Sequence, residues 1–112
     1  MSTGNSAKNF QTMNQFNQQV FYILSQIPAG KISSYGRVAE YAGYPGYSRH
    51  VGKLLAQLPE GSQLPWFRVL NSQGQISLKG ADLERQKRCL EQDGIEVSST
   101  GRVNLRKYLW QP

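Results

Sequence analysis

The fold is decided by residues 33–58, SSYGRVAEYAGYPGYSRHVGKLLAQL. Either serine at the start of this stretch can cap a helix over Tyr35–Tyr41, because a serine hydroxyl accepts a hydrogen bond from a free amide of the first turn. Gly43–Gly46 predicts a turn, and Ser48 can cap a second helix that runs to about Leu58. Two short helices around a glycine-containing turn predict a helix-turn-helix unit.

The second of these helices has two different faces. Helical spacing predicts a buried face made of Val51, Leu54, Leu55 and Leu58. The opposite face carries Arg49, His50 and Lys53. We therefore expect the helix to pack through its apolar side and to leave its basic side free.

A core helix is predicted before this unit. Apolar residues recur at helical spacing from about Asn9 to Ile27, and they are Met13, Phe16, Val20, Leu24 and Ile27, with Phe21 widening the stripe. Pro28 and Gly30 then end the helix.

A small wing and a last helix are predicted after the unit. The β-prone run Trp66–Leu70, the turn Asn71–Gly74 and the run Gln75–Leu78 predict two short strands. Apolar spacing from Leu83 to a stop at Gly94 predicts the helix. A terminal hairpin is predicted from Ile95–Val97 and Val103–Leu105. The whole pattern predicts an α+β, mainly helical domain of the winged helix-turn-helix type.

Composition agrees with one small domain that binds a polyanion. The chain has 112 residues, and its 13 Lys and Arg against 7 Asp and Glu give a formal charge of +6. We expect a flexible polar tail over residues 1–8 and a single domain over residues 9–112.

No apolar run reaches the length of a membrane span, and no hydrophobic signal segment is present. One cysteine, Cys89, excludes an internal disulfide and fits a reducing compartment, so we expect a cytoplasmic protein, nucleoid-associated in a bacterium.

The segment Leu64-Pro65-Trp66-Phe67-Arg68-Val69-Leu70 resembles a known active-site motif. It is similar to Pro-Cys-His-Arg-Val of the O6-alkylguanine-DNA alkyltransferases, with Trp66 in place of the Cys and Phe67 in place of the His. An indole has no nucleophilic sulfur and a phenyl ring accepts no proton, so thiolate catalysis is chemically impossible at this position. The pattern resembles the alkyltransferase-like proteins, which are noncatalytic relatives.

The resemblance extends over nearly the whole chain from Phe16 onward. Residues 27–31, 34–39 and 48–52 look like the alkyltransferase C-terminal domain in order and spacing, and residues 108–112 are similar to the aromatic tail of the alkyltransferase-like group. Several spaced motifs are far more specific than one. The resemblance implies the fold of that DNA-binding domain.

The resemblance also implies roles for residues of the two helices. Tyr35 matches the tyrosine that rotates the phosphate of the target nucleotide and contacts the flipped base. Arg49 matches the arginine finger that fills the gap left in the DNA stack, a task that suits a planar guanidinium. Ser48 can hold a phosphate at the helix start. From the residues alone, a half-buried aromatic, a solvated charge and an ordinary cap explain these three positions as well.

A lesion pocket is implied around Trp66. Its lining would include Tyr35, Trp66, Val69 and Lys79, the last standing where relatives carry a basic residue that contacts the bound base. A core tryptophan is the alternative for Trp66. Arg68 is expected to bond loop carbonyls or a carboxylate, whereas Asp93, at the position of the Glu that orients the catalytic His, is expected to be solvated.

We therefore expect a noncatalytic protein that binds duplex DNA through the minor groove and flips O6-alkylguanine into a pocket at Trp66. The resemblance implies that nucleotide-excision repair proteins then act on the marked lesion. We expect a monomer with no cofactor, no metal and no membrane partner. Two alternatives remain open, namely an active alkyltransferase-type enzyme using Cys89 and a winged-helix transcription regulator.

Overall fold

The structure, a computed structural model, describes the backbone of residues 3–112 and the side chains of residues 15–112. Its helices are α1 (Thr3–Gln26), α2 (Tyr35–Tyr41), α3 (Ser48–Ala56), α4 (Gly80–Gln92) and α5 (Leu105–Tyr108). A 3-10 turn spans Trp66–Arg68, and the two strands are β1 (Ser33–Ser34) and β2 (Val69–Leu70). None of the described helices is both long and apolar enough to cross a membrane.

Helix α1 confirms the predicted core helix and begins earlier than expected. Val20, Leu24 and Ile27 are buried, whereas Met13 lies outside the described side chains. The helix starts at Thr3 rather than near Asn9 and so takes in most of the predicted tail. An established helix extends by one hydrogen bond per added residue and needs no apolar periodicity to do so.

Helix α2 has the predicted bounds, and Ser34 caps it by accepting a hydrogen bond from the Arg37 amide at 3.2 Å. The predicted cap of α3 is wrong. Tyr47 occupies the N-cap position without a side-chain bond, and Ser48 is the first helical residue. The Tyr47 carbonyl already accepts from the Val51 amide at 3.0 Å, which closes the first turn one residue earlier.

The sheet differs from the predicted wing. Strand β2 pairs in parallel with β1, with Ser33 opposite Val69 and Ser34 opposite Leu70. The turn after β2 is present, since the Gly74 amide donates to the Asn71 carbonyl at 3.0 Å. The Gln75 carbonyl accepts from the Asn71 amide at 3.1 Å, but the run does not continue along β2, because the Ile76 amide donates to the Gly101 carbonyl at 2.8 Å. The backbone of residues 74–76 therefore pairs with residues 101–103.

The terminal hairpin is confirmed only as a single antiparallel bridge between Val97 and Val103. Leu105, predicted to continue the strand, instead starts α5. Asn104 explains the change, because its side chain accepts from the Lys107 amide at 3.4 Å and caps this short helix.

Two hydrophobic cores meet at the small sheet. The first joins α1, α2 and α3 and contains Val69, and the second joins α4 and the C-terminal segments and contains Leu70. Neighbouring residues of a strand point to opposite faces, so β2 contributes one side chain to each core. The 3-10 turn leads directly into β2 and is therefore held at the junction of the two cores.

Candidate nucleic-acid interface

A pocket of about 300 Å³ lies beside the 3-10 turn. Its lining residues are Leu55, Leu58, Pro59, Glu60, Trp66, Leu78, Asp82, Arg85 and Cys89. Trp66 is half-buried and forms part of this lining. The pocket thus lies between the C-terminal end of α3, which is the second or recognition helix of the helix-turn-helix unit, and one face of α4.

Helix α4 supplies one wall of the pocket from residues that share a helical face. Asp82, Arg85 and Cys89 follow one another at the spacing that places side chains on one side of a helix. The guanidinium carbon of Arg85 lies 5.0 Å from the centroid of the Trp66 ring, which is cation–π geometry. Sequence reasoning missed Arg85, because its helical spacing indicates a shared face but does not show that Trp66 packs against it.

A second face of α4 holds the main chain of the turn. Gln86 is 1% exposed, and its Nε2 donates to the carbonyls of Phe67 at 3.0 Å and Val69 at 3.1 Å. Both acceptors are carbonyls, so the amide nitrogen must face the turn. One buried side chain therefore fixes the backbone on either side of Arg68.

Arg68 has the structural role that the sequence predicts. Its Nε and Nη2 donate to the two carboxylate oxygens of Asp93 at 2.6 and 3.0 Å, and its Nη1 donates to the Ile27 carbonyl at 2.9 Å. The expectation that Asp93 is solvated is wrong, since its side chain is only 12% exposed. Asp93 is the C-cap of α4, and the turn brings Arg68 to it.

The helix-turn-helix residues Tyr35, Ser48 and Arg49 are absent from the pocket lining. Tyr35 is half-buried at the start of α2, and a Cβ added to Gly52 of α3 would lie 3.8 Å from its ring. This is an ordinary van der Waals distance, so the packing of the two helices does not require a glycine at this position. The Tyr35 hydroxyl lies 3.4 Å from the Ser77 hydroxyl. Ser48 and Arg49 begin α3, and Arg49 is exposed.

His50 belongs to an aromatic groove on the side of α3 that faces α1. The groove is lined by Phe16, Asn17, Tyr44, Tyr47, His50, Lys53, Leu54 and Gln57. The His50 and Tyr47 rings are 4.6 Å apart, and the Phe16 and Tyr44 rings meet edge to face at 5.1 Å. The imidazole is therefore not part of the pocket at Trp66.

Three of the residues predicted to line the lesion pocket, Tyr35, Val69 and Lys79, are absent from the lining of this pocket. Val69 is completely buried in the first core, because its pairing with Ser33 in the sheet directs it there. Lys79 is exposed, precedes α4 as its N-cap residue and is absent from the pocket lining. Among the predicted pocket residues, the structure places Trp66 in this lining, and it adds Arg85.

Comparison with known proteins decides the family. Residues 15–95 match the family described as 6-O-methylguanine DNA methyltransferase, DNA binding domain. A DNA base-flipping protein of Vibrio parahaemolyticus is 66% identical over 100 residues, which are 89% of this chain and 100% of that protein. Alkyltransferase-like protein 1 of Schizosaccharomyces pombe is 40% identical over 106 residues, which are 89% of this chain and 98% of that protein.

The chain belongs to the alkyltransferase-like family. The crystal structure of the S. pombe protein Atl1 in complex with damaged DNA containing O6-carboxymethylguanine matches it with a TM-score of 0.81 and 40% identity. That match covers 88% of this chain and 97% of the other. The predicted fold class is therefore confirmed at the level of the alkyltransferase DNA-binding domain. In this alkyltransferase-like chain, Trp66 and Phe67 stand where the resemblance places the thiol and the imidazole.

Proposed function

We propose that this alkyltransferase-like protein recognises alkylated DNA without repairing it. It binds duplex DNA through α2 and α3 and receives an O6-alkylguanine, rotated out of the duplex, in the pocket at Trp66. The observation that carries the proposal is the position of Trp66, which lines a pocket together with Leu55 of α3. A pocket that adjoins a recognition helix is reached by a base that leaves the stack next to that helix.

The recognition helix suits entry into the minor groove. Ser48, Gly52 and Ala56 recur every four residues and form a stripe of small side chains along α3. Small residues allow a helix backbone to approach a groove only about 6 Å wide. Arg49 lies at the start of this stripe and can fill the space left by the base. The net charge of +6 supplies affinity for phosphates of any sequence.

The chemistry of the pocket supports binding rather than transfer. Trp66 offers a broad aromatic face to a purine, and Phe67 next to it cannot act as a base. The pocket does contain a thiol, Cys89, but the one histidine of the chain is His50, in the aromatic groove. Cys89 therefore has no imidazole beside it in the pocket lining, which is the partner that activates the thiol in the alkyltransferase motif.

A bound lesion that is not repaired requires a second protein to act on it. We propose that proteins of nucleotide-excision repair are these partners and that the alkyltransferase-like chain acts as a monomer on the DNA. The support for these two points is the family to which the chain belongs.

Paired titrations test the proposal. A fluorescent duplex with one O6-methylguanine should bind at least tenfold more tightly than the same duplex with guanine, because the alkylated base pairs less stably and leaves the stack at lower cost, and once extruded it gains stacking on Trp66 worth roughly 1–3 kcal/mol. The measurement is fluorescence anisotropy at one fixed salt concentration. Equal dissociation constants for the two duplexes would favour a regulator that reads sequence instead.

A further inference from the structure

Arg85 occupies a distinctive position in the pocket. Among the residues that the structure describes, it is the only cation in the pocket lining, where the two carboxylates are Glu60 and Asp82. No described carboxylate lies within ion-pair distance of it, since the two ion pairs are Arg68–Asp93 and Lys107–Glu96. Its guanidinium lies over the Trp66 ring with its hydrogen-bond donors unused by the described residues.

We infer that Arg85 is a specificity-determining residue for the lesion. In the free protein it orients the indole of Trp66, and in the complex it forms the wall that meets the base delivered to Trp66. The inference rests on the proposed function and assigns to Arg85 the contact that the family resemblance implies for Lys79.

The chemistry of a guanidinium fits both parts of this role. It is planar, it stacks on aromatic faces, and it keeps its donors free at the edge while it stacks. A purine offers a second π face and, on guanine, the acceptors N7 and O6 at one edge. Arg85 can therefore contact a base by stacking, by donation or by both, whereas a lysine ammonium offers a point charge alone.

The position of α4 makes the contact reproducible. Gln86, the next residue, fixes the Phe67 and Val69 carbonyls, and Asp93 fixes Arg68. Trp66 therefore stands on a turn attached to the same helix that carries Arg85. Lys79 precedes that helix and is exposed outside the pocket lining, so no comparable geometry directs it to Trp66.

The test compares Arg85→Ala with Arg88→Ala. Both residues are exposed on α4, and both changes remove one positive charge, but Arg88 is absent from the pocket lining. The two variants should lose the same small amount of affinity for undamaged DNA. The preference for O6-methylguanine over guanine should fall about fivefold in Arg85→Ala and stay unchanged in Arg88→Ala. Arg85→Lys should give an intermediate preference.

A second comparison tests whether Arg85 and Trp66 act together on the bound base. In a Trp66→Leu background, Arg85→Ala should cause a smaller loss of preference than in the unaltered protein, because the guanidinium has lost the ring that positions it. If Arg85→Ala and Arg88→Ala showed the same preference for O6-methylguanine over guanine, Arg85 would be only a solvated charge and the inference would be overturned. If the unaltered protein itself shows no preference, the proposed function fails first, and the role of Arg85 fails with it.

Discussion

Trp66→Ala should reduce the affinity for a duplex containing O6-methylguanine at least tenfold while leaving binding to undamaged DNA nearly unchanged. The indole lines the pocket and carries the cation–π contact with Arg85, so its loss removes the stacking surface for the base. Nonspecific binding depends on cations elsewhere. Anisotropy titrations of both duplexes measure the two effects separately.

A matched pair of variants controls this experiment. Trp110 is the other tryptophan, half-buried against Tyr41 at a ring distance of 5.6 Å and absent from the pocket lining. Trp66→Phe should lose part of the lesion preference, whereas Trp110→Phe should keep all of it. Loss of preference in Trp110→Phe alone would place the pocket elsewhere.

Trp66→Cys should remain inactive in alkyl transfer, because Phe67 provides no base and Asp93 is already paired with Arg68.

Arg49→Ala should leave the fold intact, weaken lesion binding strongly and reduce base extrusion. Arg49 is exposed at the start of α3, and Ser48 beside it is too small to fill a vacated position in the stack. Extrusion is measured with a fluorescent base analogue opposite or beside the lesion. If the variant and the unaltered protein have the same unfolding curve, the loss of binding arises at the DNA interface.

Lys53→Ala is the matched control for Arg49, since it removes one charge from the same helix. It should weaken damaged and undamaged DNA equally and leave extrusion unchanged. If Arg49 were only a solvated charge, the two variants would behave alike, and each would lower the log–log salt slope by about 0.9 for one lost phosphate contact.

Helices α1 and α2 could be predicted from the sequence because local signals determine them. Ser34 caps α2 and the apolar spacing of α1 marks its buried face, and both features follow from residues within a few positions. The strands could not be predicted in the same way. The pairing of β2 with Ser33 and the capture of Gly74 by Val103 depend on contacts distant in the chain.

The same distinction holds for the candidate site. Trp66 could be identified because it stands in a recognisable motif, and Arg68 because arginine in a loop needs acceptors. Arg85 and Gln86 could not, since their importance depends on the docking of the turn against α4. The resemblance implies a base contact for Lys79, but Lys79 lies one residue before α4 and outside the lining of this pocket.

The central claim is that the protein holds an alkylated base without reacting with it, and the intact mass of the protein tests this most directly. The protein is incubated with excess O6-methylguanine duplex at a concentration that saturates binding, then recovered and weighed by mass spectrometry. The account predicts an unchanged mass and DNA that still carries its methyl group. A stoichiometric gain of one methyl group, abolished by Cys89→Ser, would show that the pocket thiol reacts and would contradict the account.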